Sequence, residues 1–539
     1  MLKIVQGEVY DPINGIDGEK RDICIEDGKI VAEVEGAPTI DASGMVVMPG
    51  GVDIHSHIAG SKVNTGRKMR PEDHRGDVVP KTNVTRSGVG YTVPSTFTTG
   101  YRYAALGYTT VMEAAVPPLM AKHAHEELND IPLVDKACFP LMGNNYFVLK
   151  YIATGEFQKV KAFVAWLLQA TKGYAIKIVN PGGVDTWKWG KNIESLDEKA
   201  NTFEVTPRQI LTTLARVRED LGLPHPIHVH CNNLGVPGNY ETTLKTMEAV
   251  EGRGIHITHA QFNSYGGESW ASFRSKAPEI ATYVNDHPNV TIDVGQVVFG
   301  EATTMTADGP WQYRLHQLTG HKWVNSDVEM ETGAGIVPYR FSKRNPVNAI
   351  QWAIGLELLL LIEDHWRVFL TTDHPNGGPF YFYPQIIKLL MSQDARLEML
   401  ESVHKFARTR TSLKELDREY SLSEIAIITR AGTAKSLGLK EKGHLGVGAD
   451  ADIAIYPKRE SPEEMFSNPR YVIKGGKIIV EDGKVVRDGR GKTFFVEPPY
   501  DKGIEAEIRE DFERYYTVTL ENYPVPMEYL PQHEVIPCV

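Results

Sequence analysis

Five short apolar runs, AIKIV, PIHVH, GIHITH, NVTIDVG and RVFLTT, fall between residues 175 and 372, with longer helical stretches between them. Runs that are apolar on both faces need cover on both faces. That is the situation of strands in a parallel sheet flanked by crossover helices. The helical stretches carry their own punctuation. SLSEIAIITRAGTAKSLGL opens on Ser421 with Glu424 three residues on, a capping box, and closes near Gly438. PQIIKLLMSQDARLEMLESVHKFA, residues 384–407, reads as a further helix. This alternation predicts an α/β fold, a (β/α)8 TIM barrel with insertions over residues 49–440. An open doubly wound sheet is the alternative.

The two ends have a different texture. Asp27-Gly28 sits between ICIE and KIVAEV, a hairpin signal, and the Glu-Asp-Gly-Lys phrase of residues 26–29 returns at 481–484. These strand-rich ends predict one small β-sandwich domain built from residues 1–48 and 441–500. Residues 501–539, rich in Pro and Tyr, are expected to form an extended arm lying on another surface. With 58 basic against 69 acidic residues, the net charge of −11 argues against nucleic acid as a partner. Cys24, Cys138, Cys231 and Cys538 are scattered without a CxxC pair, which fits a reducing, cytoplasmic compartment. The opening segment reads as lacking a signal peptide. The most apolar run, residues 351–366, carries Glu357 and Glu363, so it predicts a buried helix and no membrane span.

Five segments place metal-ligand residue types near strand ends. In GGVDIHSHIAG, His55 and His57 are two apart and share a strand face, a metal half-site. In GYAIKIVNPGG, Lys177 lies inside an apolar strand, where an unpaired ammonium is costly. A lysine reaching for the barrel mouth is the plainer reading of it. In PIHVHCNNLG, His228 and His230 share a face. Barrel chemistry sits at C-terminal strand ends, which favours His230 as ligand and leaves His228 packed. In GIHITHAQFNSYGG, His256 and His259 face opposite ways, and the same rule selects His259. In VFLTTDHPNGG, Asp373 ends a strand and opens a glycine-rich loop.

Taken in chain order, His55, His57, Lys177, His230, His259 and Asp373 resemble the ligand set of the amidohydrolase superfamily. The hairpin leading into MPGGVDIHSH and the closing GHLGVGADADIAIY are similar to the split β domain of many members. Longer phrases narrow the resemblance: KVNTGRKMRPEDH, VPSTFTTGYRYAALGYTTVMEAAVPP, HCNNLGVPGNYETTL, TTMTADGP, DVEMETGAGIVPY, NPVNAIQWAIGLELLLLI and TTDHPNGGPF. Together they resemble the A-type subunits of formylmethanofuran dehydrogenase and of the bacterial formyltransferase/hydrolase complex, over residues 1–530.

The resemblance implies two Zn2+ ions bridged by a carboxylated lysine. His55 and His57 would hold one ion, His230 and His259 the other, and Lys177 as its carbamate would bridge them. A free ammonium would repel two cations, whereas a two-oxygen anion can be shared by metals about 3.5–4 Å apart. Asp373 would bind metal and act as the catalytic proton carrier. The implied reaction is hydrolysis of N-formylmethanofuran to formate and methanofuran, or its reverse, with other subunits of a one-carbon complex as partners. The substrate, a methanofuran-type cofactor, carries carboxylates on its tail. A basic stretch follows the histidine pair, and Lys62, Arg67 and Arg70 are expected to clamp that tail. Asn232 and Asn233 are expected to hydrogen-bond the substrate. Two other readings use the same residues: a cyclic-amide hydrolase of the hydantoinase or dihydroorotase type, and a non-catalytic scaffold for other chains. The scaffold predicts lost ligands, and none is lost.

Overall fold

The computed structural model describes residues 1–326 and 334–539. Residues 327–333, part of the phrase DVEMETGAGIVPY, lie outside the described residues. Eight parallel strands carry the architecture: β1 Gly51–Ser56, β2 Tyr108–Val116, β3 Asp135–Pro140, β4 Lys177–Val179, β5 Ile227–His230, β6 Ile255–Ile257, β7 Val290–Asp293 and β8 Val368–Phe369. β1 to β3 pair in sequence, and so do β4 to β8. Parallel bridges Leu141↔Lys177 and Ser56↔His374 join the two ladders at both edges, so the strands run in ring order. All point the same way, which gathers their C-terminal ends at one mouth.

The strands are buried on both faces, as their composition requires. Helices Pro207–Asp220, Tyr240–Glu248, Ala277–Asp286 and Pro346–Leu361 lie between successive strands from β4 to β8. Pro346–Leu361 is the apolar run, and it is buried. Its Glu357 carboxylate accepts from the Ser275 and Ser412 hydroxyls, each at 2.5 Å. Among the described residues no helix is long and apolar enough to cross a membrane. The capping box forms as expected, with Ser421 and Glu424 satisfying each other's backbone, and Gly438 closes that segment in a left-handed conformation, φ 74°. Residues 384–407 are not one helix. Ser392 is extended, and its hydroxyl caps a second helix, Gln393–Ser402.

The chain ends meet in one nine-stranded sheet. Strand Met45–Pro49 pairs in parallel with Leu2–Asp11 and antiparallel with Ile453–Pro457. Asp27-Gly28 and Asp482-Gly483 both adopt positive φ and turn equivalent hairpins. Thr493–Phe495, expected within the β domain, pairs instead with β3 of the ring. The final segment is not simply extended. It forms helix Gly503–Tyr515, whose Phe512 ring stacks 5.5 Å from Phe147, and strand His533–Val535, which pairs with Thr493–Phe495.

Candidate metal centre

The mouth of the ring brings together the six residues chosen from strand ends. His55 Nε2 and His57 Nε2 stand 3.0 and 3.1 Å from the same atom, Asp373 Oδ1. His259 Nε2 is 3.1 Å from His230 Nδ1. Ligand atoms of His55, His259 and Asp373 lie within 4.8 Å of one another, so the two pairs form one cluster. His55 Nε2, His259 Nδ1, Asp373 Oδ1 and Lys177 Nζ are buried without a hydrogen-bond partner. Orphaned polar atoms of this kind are expensive in an apolar interior. Lone pairs that face one another with no proton between them fit a bound cation. Ligands about 2.0–2.2 Å from one ion stand roughly 3 Å apart, the spacing seen between these nitrogens and oxygens. The donor set, imidazole and carboxylate, suits zinc and also manganese, cobalt or iron.

Burial brings the Lys177 ammonium down to about 7, against the pull of Asp293 and Asp373. Burial likewise holds His55 well below its ordinary value, with the charges on Lys177 and His57 adding to the effect. His259 is pushed down by burial and then by His230. These rings are therefore neutral and able to offer a lone pair.

The backbone is shaped for this cluster. His259 and Asp373 adopt left-handed conformations, φ 37° and 49°, which non-glycine residues enter only when their surroundings insist. Gly295 passes so close that a Cβ there would collide with Cβ of His259.

Several supports were not singled out in the sequence. Glu113, in β2, accepts from the Ile58 and Ala59 N–H groups at 2.6 and 2.9 Å, and its Oε1 lies 3.2 Å from His57 Nδ1. Burial pushes Glu113 upward, but Lys62 and His57 outweigh it and hold the carboxylate at about 2. Asp308 Oδ2 lies 3.1 Å from His230 Nε2. Asp293 Oδ1 accepts the His259 N–H at 3.0 Å, and its Oδ2 is 3.0 Å from His256 Nε2. Asp53 Oδ1 accepts the His55 N–H at 3.1 Å. His228 does not face Asp373. Its Nε2 lies 2.7 Å from His55 Nδ1.

The expected tail clamp requires correction. Lys62 is buried, and its Nζ donates to Ala115 O at 2.5 Å and Glu113 at 3.2 Å. Arg67 donates to Pro94 O, Asn64 and Glu127, and Arg70 to Ala302 O, Tyr339 O and Glu301. Their donors serve the protein itself, because the segment folds as helix Ser61–Met69 packed into the structure. Asn232 is also turned inward, donating to Asn180 and Pro181 O. Asn233 differs. It lines a cavity of about 590 Å3 beside Asp308, together with Trp187, Asn192, Trp311, Tyr313 and Arg314.

A ring of parallel strands with histidines, a buried lysine and an aspartate at its C-terminal mouth is the architecture of an amidohydrolase. The amidohydrolase family profile matches residues 38–480, and the chain belongs to that family. Within it, two relatives match along essentially the whole chain. Protein FwdA of Methanocaldococcus jannaschii is 55% identical, covering 99% of this chain and 98% of its own length. FhcA, from the formyltransferase/hydrolase complex Fhc of Methylorubrum extorquens, is 41% identical, with the same coverage. The crystal structure of the Methylorubrum extorquens FhcABCD complex with methylofuran contains a chain that superposes with a TM-score of 0.95 at 40% identity, covering 100% of both chains. The resemblance carried by the sequence phrases is borne out.

Proposed function

We propose that this chain hydrolyses, or in reverse forms, the formyl amide of an N-formylmethanofuran-type cofactor at a two-metal centre, as the A-type subunit of a larger one-carbon complex. The observation that carries the reading is the unpartnered Lys177 Nζ, buried among orphaned histidine and aspartate ligand atoms. The whole-length similarity to FwdA and to FhcA, and the methylofuran in the latter's complex, supply the substrate class. On this reading the ring is a (β/α)8 barrel spanning residues 49–440, and the two chain ends form its β-sandwich domain.

His55, His57 and Asp373 would hold one zinc ion, and His230 and His259 the other. Two divalent ions bound there would lower the pKa of a water to about 7 and draw charge from an amide carbonyl. Lys177, once carboxylated, would add an anionic ligand for these ions. Its neutral amine adds to the carbon of CO2, an N–C bond forms, and a proton leaves, giving a carbamate. Asp373 takes the proton of the water that attacks the formyl carbon. It hands that proton to the amine nitrogen as the C–N bond breaks. The products are formate and a primary amine; the reverse path condenses them. The cavity beside Asp308 would take the amine-bearing half, with Asn233 and Arg314 as polar contacts and Trp187 and Trp311 as its apolar walls.

The test pairs two measurements on the purified chain: metal per chain, and formate release from N-formylmethanofuran. About two zinc ions with formate release is the expected result. Metal without release would move the search to partner chains or to cyclic amides. An absence of metal would overturn the mechanism and leave a scaffold.

A further inference from the structure

We propose that His225, anchored on the Ser436 carbonyl, fixes which nitrogen of His55 is left free for a metal; the inference rests on the metal-centre reading above. His225 stands just before β5, and Ser436 lies in helix Gly432–Leu437. Neither touches the metal cluster. Their effect runs through three hydrogen bonds whose direction is forced.

A backbone carbonyl only accepts. His225 Nδ1, 2.8 Å from Ser436 O, therefore carries the hydrogen. A neutral imidazole has one N–H, so His225 Nε2 must accept. Its partner at 3.0 Å is His228 Nδ1, which must donate. That leaves His228 Nε2 as an acceptor, and His55 Nδ1, 2.7 Å away, donates to it. His55 Nε2 is then a lone pair, and it is this atom that faces Asp373 Oδ1 at 3.0 Å.

The surroundings agree. All three rings are buried. The Thr258 hydroxyl also touches His55 Nδ1 and can share its hydrogen as a second acceptor. Asp293 Oδ2 lies closer to His55 Nδ1, at 3.6 Å, than to His228 Nε2, at 3.9 Å, which favours the hydrogen on His55. His256 stacks on His228 with centroids 4.5 Å apart, which limits its rotation. His256 itself stays outside the relay, facing Asp293 and Thr291. Without the acceptor at His225, His228 is free to place its hydrogen on Nε2. It would then donate to His55 Nδ1 and drive the His55 hydrogen onto the nitrogen a metal needs. His225 is thus a positioning residue.

The test uses the full chain in two ways. In metal-free protein labelled with 15N-histidine, long-range 1H–15N spectra are expected to show His55 protonated at Nδ1 and bare at Nε2. A hydrogen on Nε2 would overturn the relay, with no variant required. Zinc affinity is then compared by chelator competition for H225F and H225Q. His225 stacks beside Phe139, 5.7 Å between centroids, so phenylalanine keeps an aromatic ring there but supplies no acceptor. H225F is expected to weaken one of the two ions by about 10–100-fold, and H225Q, whose amide oxygen accepts, to recover most of that loss. Wild-type affinity in H225F, or equal losses in both variants, would overturn the proposal. If the wild-type chain binds no zinc, the metal-centre reading fails, and the spectra alone judge the tautomer relay.

Discussion

Lys177 is the residue whose chemistry depends most on its surroundings. A free lysine stays protonated up to about pH 10.4, whereas burial brings this one to about 7. CO2 adds only to the free amine, and below that value the free fraction falls with pH. Reloading metal-free protein with zinc at a fixed concentration of dissolved CO2 is therefore expected to level off above about pH 7 and to slow about tenfold per unit below it. A rate unchanged between about pH 6 and 8 would remove the carbamate. Lys177→Ala is expected to empty or weaken the metal pair and abolish turnover, and an active variant would dismiss the bridge. Asp373→Asn separates holding metal from moving a proton. A carboxamide oxygen still offers a lone pair but does not take up the proton, so most of the metal should remain while formate release is lost. Release at the normal rate in that variant would take Asp373 out of the mechanism.

The elements behind the ligands decide how well they are held. Glu113 in β2 joins the His57 imidazole, the Lys62 ammonium and two backbone N–H groups at one carboxylate. Glu113→Gln leaves the Lys62 ammonium buried without its charge partner. We expect a loss of about 3–5 kcal/mol in stability and of about 10–100-fold in zinc affinity at the His57 site. Thermal unfolding and chelator competition measure the two separately, and unchanged affinity would restrict Glu113 to a structural part. The clustered residues were legible because they fall within or at the end of five apolar runs, and the strand-end rule favoured His230 over His228 and His259 over His256. Glu113, Asp293 and Asp308 were not legible, because each reaches its histidine from another strand or loop far away in sequence. The basic stretch after His57 misled for the opposite reason. Charge in a sequence suggests solvent, but Lys62 meets Glu113 in the interior and Arg70 meets backbone carbonyls. Only the fold reveals such partners.

At the scale of the whole chain, the repeated Glu-Asp-Gly-Lys phrase was enough to foresee that the two ends form one β unit. It did not show how that unit is fastened to the ring. Asp135, at the start of β3, accepts from Lys442 and from Lys474, each at 2.5 Å. Lys442 also reaches Asp450 at 2.7 Å and Asp452 at 2.6 Å, and Lys474 reaches Asp452 at 2.8 Å. Asp135, Asp450 and Asp452 have the spacing of a cation site, but the two ammonium groups lie among their carboxylates. The cluster therefore acts as a clamp between ring and sheet. Burial alone would raise the Asp135 and Asp450 carboxyls; Lys442 overrides it and holds Asp450 at about 2 and Asp135 below the ordinary carboxylate range. Groups depressed in the fold add stability that is complete above about pH 4 and fades as the pH falls towards 2. Lys442→Met leaves Asp135 and Asp452 with Lys474 alone and Asp450 with Lys29 at the surface, and is expected to lose about 3–5 kcal/mol near neutral pH. Protonation relieves the variant and takes the clamp from the wild type. The gap between their unfolding midpoints should therefore narrow between about pH 4 and pH 2. Thermal melts of both proteins at neutral pH and across that acid range decide it, and a gap of constant width would mean that the charges at this junction do not hold the sheet to the ring.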